Sequence, residues 1–169
     1  ALKEFELTHP EKGFVKMSAN LESWGLKPKL NINIEDGDVN FADYLFTKII
    51  SLKEELLANY DLDKIYLVIY GNLSKVTQAK DIVMQKLKFK LSNEGGNLIN
   101  LEDFVSKIWG GILKISGNLV IDPMKFNAVF AYNNLDLTEF TKFLFEQNMI
   151  IPGRVSFNGR LYSKGESIN

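Results

Sequence analysis

The chain has 169 residues, 46% of them hydrophobic and 24% charged, and 20 basic against 21 acidic residues leave a formal net charge of -1. That balance excludes a disordered chain and provides no clustered basic surplus of the kind nucleic-acid binding requires. The absence of cysteine removes disulfides, thiolate nucleophiles and cysteine metal sites together.

In chain order, period-two alternation dominates. The stretch Lys29-Leu30-Asn31-Ile32-Asn33-Ile34-Glu35 alternates polar and apolar residues, as a half-buried strand does. Glu35-Asp36-Gly37-Asp38 has the polar character of a calcium loop but lacks the distal glutamate at EF-hand spacing, so it reads as a polar turn. It leads to Asn40, a candidate N-cap, and to Phe41, Leu45, Ile49, Leu52 and Leu56, the apolar stripe of an amphipathic helix over about 40–58. Ile65 to Tyr70 is apolar on both faces, which suggests a central or doubly covered strand. Lys86-Leu87-Lys88-Phe89-Lys90-Leu91 is the cleanest alternation, with its lysines on one face and Leu87, Phe89 and Leu91 on the other. Phe126, Ala128, Phe130 and Tyr132 form a further apolar row. Asp136-Leu137-Thr138-Glu139 has the pattern of a capping box opening a second helix over 136–147, and Pro152-Gly153 marks a turn. Arg154-Val155-Ser156-Phe157-Asn158 resumes the alternation and continues to Leu161.

The chain also repeats itself. Gly13-Phe14-Val15-Lys16-Met17-Ser18-Ala19-Asn20-Leu21 aligns with Gly111-Ile112-Leu113-Lys114-Ile115-Ser116-Gly117-Asn118-Leu119. Each block is followed by a proline, Pro28 or Pro123, then an alternating strand and a capped helix. The units span roughly 13–58 and 111–147, and such duplication suits modular sheets. The expected fold is α+β and mainly β: an elongated, twisted antiparallel sheet, a groove or half-barrel, with two short amphipathic helices. Residues 1–169 then form one β-rich fragment of a larger protein, both ends reading as cuts, with no signal peptide and no run of the roughly 18 apolar residues a membrane helix needs.

The stretch Leu98 to Leu119, with Ser106-Lys107-Ile108-Trp109-Gly110-Gly111 at its centre, resembles the C-terminal region of the AsmA-like family, in which a leucine-rich strand leads through a Lys-aliphatic-aromatic-Gly-Gly turn into a second strand. Val155 to Asn169 is similar to the start of that family's next unit. The resemblance implies a bacterial envelope protein in the periplasm, held in the inner membrane by an anchor outside this fragment. It further implies a non-catalytic β-sheet groove that shelters phospholipid or other acyl lipid between inner and outer membranes, alongside the remaining segments of the same full-length protein. It carries no catalytic residues, no metal and no cofactor.

Elementary dimensions bear on that expectation. Nine strands at about 4.8 Å each make a sheet roughly 43 Å wide. Two helices, each about 10 to 12 Å across, would cover about half of its apolar face. The remainder must curl into a small sandwich, pack on a second copy, or hold something apolar. The residues expected to line a lipid groove are Leu87, Phe89, Leu91, Leu113, Ile115, Leu119, Phe126, Phe130 and Phe157. The alternative is a structural or protein-interaction module of the envelope with a dry core.

Other features point to structure. His9 has no second histidine and no cysteine beside it in composition, so it reads as structural or solvated. Gly95-Gly96 and Gly110-Gly111 lack the lysine and hydroxyl of a phosphate loop and read as hairpin turns. Lys86, Lys88 and Lys90 read as a solvated strand face, because Phe89 points away from them. Trp24 and Trp109 read as buried rings near turns.

Overall fold

In the computed structural model the described residues are 2–9, 13–22, 28–40, 66–78, 82–93, 96, 98–120, 124–145 and 150–165, and in the first strand the described side chains are Glu4, Glu6 and Thr8. Nine strands follow one another: β1 Leu2–His9, β2 Gly13–Glu22, β3 Lys29–Asn40, β4 Tyr66–Gln78, β5 Ile82–Asn93, β6 Leu98–Ile108, β7 Gly111–Val120, β8 Lys125–Asp136 and β9 Arg154–Lys164. They form a single open sheet in sequence order, with β1 and β9 at its edges. Among the described residues one helix, α1, occupies Leu137–Leu144.

The sheet is mixed, which corrects the purely antiparallel expectation. Seven neighbouring pairs are antiparallel, but β3 and β4 run parallel, with Ile32 opposite Ile69 and Val39 opposite Val76. Parallel neighbours need a crossover of a dozen residues or more, and 41–65 supply the length. The helix expected over about 40–58 lies, beyond Asn40, outside the described residues.

A second correction concerns Glu35-Asp36-Gly37-Asp38. This is no turn into a helix but the middle of β3, and Val39 is part of the core. A register shift between Lys16 and Met17 of the facing strand marks a bulge there. An extra residue reverses the alternation beyond it, so Ile34 and Val39, five positions apart, both enter one cluster. The irregularity continues across the sheet. Lys86 and Asp103 take positive φ of 52° and 55°, and the β5–β6 and β6–β7 registers shift beside them. By the same device Leu73 and Val76, and Met84 and Leu87, join the same cluster although each pair is three apart.

The α1 start is as the sequence suggests. Asp136 caps the helix through its Oδ1, which accepts from the backbone N–H of Thr138 at 2.9 Å and of Glu139 at 3.3 Å. Leu137 and Phe140 pack on buried Ile108, Tyr132 and Leu135. The β6–β7 hairpin turns on Trp109-Gly110, with φ of 43° and 70°, and Gly111 already begins β7. Two positive-φ positions match the right-handed twist of a tight hairpin but strain a tryptophan. Its ring is held by Phe140 at 5.0 Å and Phe143 at 5.2 Å between centroids, and its carbonyl accepts from the Asp136 N–H at 3.0 Å.

Of the proposed duplication, the described residues contain the strand pairs β2–β3 and β7–β8. Both pairs open on a glycine crowded by the facing backbone, since a Cβ on Gly13 would meet the Asp38 carbonyl oxygen and one on Gly111 that of Asn133. The connections that follow differ, because β3 leads to a parallel neighbour and β8 leads through α1 to an antiparallel one.

Candidate functional site: one apolar face of the sheet

The register decides which residues share a face, because directly opposed residues point the same way. One row runs Ala19, Ile32, Ile69, Leu91, Leu101, Gly117, Ala128, Leu161 across eight strands. A neighbouring row runs Phe104, Ile115, Phe130, Gly159, and another Leu113, Tyr132, Phe157. All nine residues expected to line a groove therefore lie on the same face: Leu87 and Phe89 with Leu91, and Leu119 and Phe126 opposite each other in the row beyond Gly117–Ala128. The opposite face carries Lys88 and Lys90, Lys114 and Ser116, Asn127, and Arg160.

Sharing a face does not give these residues one environment. Leu87 is buried in the cluster of Val15, Ile34, Val39, Leu73 and Val76. Phe89 lies over Gly71, where a Cβ would come within 2.1 Å of its ring. Phe130 lies over Gly159 in the same way, and the Tyr132 ring over Gly111. An aromatic ring folded onto a cross-strand glycine covers the backbone that glycine leaves bare. Phe89 and Phe130 are thus wedged into the sheet by their neighbours, while Leu91, Leu113, Ile115, Leu119 and Phe126 are half-buried.

Phe157 stands apart. It stacks on Tyr132 at 5.7 Å and meets Phe130 edge-on at 6.0 Å, yet remains 43% exposed. The other inward residues of β9, Val155 and Leu161, are 36% and 51% exposed. Neither is among the nine residues expected to line a groove. Their signal was the alternation continuing through Gly159, which places Val155, Phe157 and Leu161 on one side.

Tyr132 donates its hydroxyl hydrogen bond to the Ile108 carbonyl, and burial first, then the nearby Glu139 charge, push its hydroxyl up to about 12. On the other face, Lys90 pairs with Glu102 at 2.7 Å and Ser92 donates to the same carboxylate at 3.0 Å. Those bonds hold the Glu102 carboxyl below the usual range and the Lys90 ammonium above its own, so Glu102 makes a poor base and Lys90 a poor nucleophile. Ser18 likewise donates to Glu35 at 3.0 Å. Among the described residues no group of three or more histidine, aspartate or glutamate side chains could hold a metal ion. No helix among them is long and apolar enough to cross a membrane. Trp24 lies outside the described residues, as does the His9 side chain.

The chain matches no protein-family model, no curated protein and no solved structure.

Proposed function

We propose that this chain is a non-catalytic lipid-binding segment of an AsmA-like envelope protein, lodging the acyl chains of phospholipid on the apolar face as a groove. In this reading it works in the periplasm as one stretch of a longer, inner-membrane-anchored protein. The observation that carries the proposal is the apolar row running from Ala19 to Leu161 across an open sheet and ending at β9, where Val155, Phe157 and Leu161 stay 36% to 51% exposed. Water against Val155, Phe157 and Leu161 is unfavourable by about 25 cal/mol per Å² of apolar surface, and an acyl chain relieves that without needing a specific polar partner. The sequence resemblance around Ser106–Gly111 supports the same reading.

A second reading, a structural or protein-interaction module of the envelope with a dry core, is favoured by one specific observation. Part of the β2–β5 face is closed, with Val39 and Val76 at 1% and 0% exposure. Mass spectrometry of organic extracts from the purified chain separates the two. Lipid binding predicts near-stoichiometric acyl lipid in the wild type, depleted in Phe157→Asp. A scaffold yields none in either.

A further inference from the structure

The polar side of the sheet carries a pattern of its own. The register sets Asn20, Asn31, Val68, Ser92, Asn100, Asn118, Asn127 and Tyr162 opposite one another on β2 to β9, so five of these eight strands place an asparagine at the same level. Asparagine is depleted in strands, so the sheet gains nothing in propensity from that choice. It gains little in hydrogen bonding either. Among the described residues only Asn20 of the five has a partner for its carboxamide, donating to Glu22 at 3.2 Å. Folding therefore does not account for the row.

Val68 and Ser92 are buried and interrupt it, but from β6 onward it is continuous. Asn100 and Asn118 are half-buried, Asn127 is exposed, and Tyr162 is 71% exposed. A shallow cleft of about 170 Å³ lies along this stretch, lined by Ser116, Gly117, Asn118, Asn127, Ala128 and Val129. Neighbouring carboxamides stand about 4.8 Å apart, the strand spacing, and each offers two donors and an acceptor. None of the four side chains carries a charge at neutral pH, so the row makes no ion pair with a phosphate, a carboxylate or an ammonium group. The matching ligand is uncharged, repeats a group that both donates and accepts at each strand spacing, and has an apolar face for the Tyr162 ring. A chain of linked sugars meets all three conditions: its hydroxyls donate and accept, its rings follow one another at close to that spacing, and their C–H faces stack on aromatic rings. A β-1,4 linkage keeps the rings in line, whereas an α-1,4 linkage coils them away from a sheet.

We propose that Asn100, Asn118 and Asn127 form a glycan-binding ladder, which takes an uncharged, extended β-1,4-linked oligosaccharide laid across β6 to β8 with Tyr162 as a stacking platform beyond. The three carboxamides sit on strands that are paired on both sides, so the ladder does not depend on what lies beside β1 or β9. It is on the face away from the apolar row and does not require lipid to be the occupant of that row.

The test is nuclear magnetic resonance on the whole isotope-labelled chain, reading the asparagine side-chain amide signals during titration with cellopentaose and, as its coiled isomer, maltopentaose. Cellopentaose should shift the signals of Asn100, Asn118 and Asn127 and saturate with a Kd of about 1 mM or tighter, unchanged at high salt because no charges pair. Asn118→Ala with Asn127→Ala should weaken binding roughly tenfold or more. Should that double variant melt below the wild type, Asn127→Ala alone, at an exposed position, gives the same reading in an intact fold. No shift at these amides, an equal response to maltopentaose, or undiminished binding in the variants overturns the proposal. So does a glycine-serine pentapeptide that shifts the same signals as strongly, since the row would then recognise extended peptide.

Discussion

The buried cluster of β2–β5 on the apolar face and the β9 end of that face have the same pattern and opposite environments. In the first, Val39, Leu73 and Val76 are sealed at 2% exposure or less; in the second, Val155, Phe157 and Leu161 stand at 36% to 51%. Both sets arise from alternating apolar residues on strands of the same sheet. Alternation therefore specifies a side, while cover is set by what lies above that side and by the bulges that re-aim it. The bulge facing Lys16 and Met17 re-aims Val39 into the sealed cluster, whereas β9 pairs regularly from Phe157 to Lys164 and its register shifts only between Phe157 and Val155.

The sharpest way to break this contrast is a charge in the sealed cluster. Val76→Asp buries an unpaired carboxylate and should cost about 3–5 kcal/mol, a large fraction of the about 5–15 kcal/mol of a typical domain, and so should lower the melting temperature by roughly 10 °C. A melting temperature within a few degrees of wild type would show that the cluster is not sealed. Gly71→Ala comes next. The added Cβ falls on the Phe89 ring, and overpacking of this kind costs about 1–3 kcal/mol. Urea melts should show the loss, and Phe89→Leu in the same chain should recover part of it.

An alkaline titration probes the boundary between the two regions at Tyr132. Its folded-state hydroxyl lies at about 12, above the ordinary value of about 10. The folded state thus holds this proton more tightly than the unfolded chain does. The resulting stability is complete below pH 10 and is lost as pH rises through 12. Tyr132→Phe should flatten that part of the stability profile, while an unchanged profile would place the titration elsewhere. The smallest effect is expected at the open end. Leu161→Asp should leave stability within about 0.5 kcal/mol, as exposed substitutions do, and a large loss would mean the end is covered after all.

Much of this was legible in the sequence, for physical reasons that also mark where legibility ended. Lys86–Leu91 and Arg154–Leu161 are strands by local period alone, and Asp136 is a cap by local chemistry, so those elements needed no tertiary information. The nine residues expected to line a groove lie on one side because two-residue periodicity propagates through register. The β3 bulge was misread as a turn, because Asp and Gly favour both and only the facing strand distinguishes them. The parallel β3–β4 step and the seats of Phe89 on Gly71 and Phe130 on Gly159 are contacts between neighbouring strands, invisible to a reading of one segment at a time. Exposure at β9 was illegible for the same reason.

The most direct test of the lipid proposal uses two adjacent residues on opposite faces. A photo-crosslinking amino acid is placed at Leu161, on the apolar side, or at Tyr162, 71% exposed on the other, and the illuminated protein from cell envelopes is analysed by mass spectrometry. The proposal predicts acyl-lipid adducts from position 161 and none above background from 162. Equal yields at both positions, or no lipid adduct at 161, would contradict it.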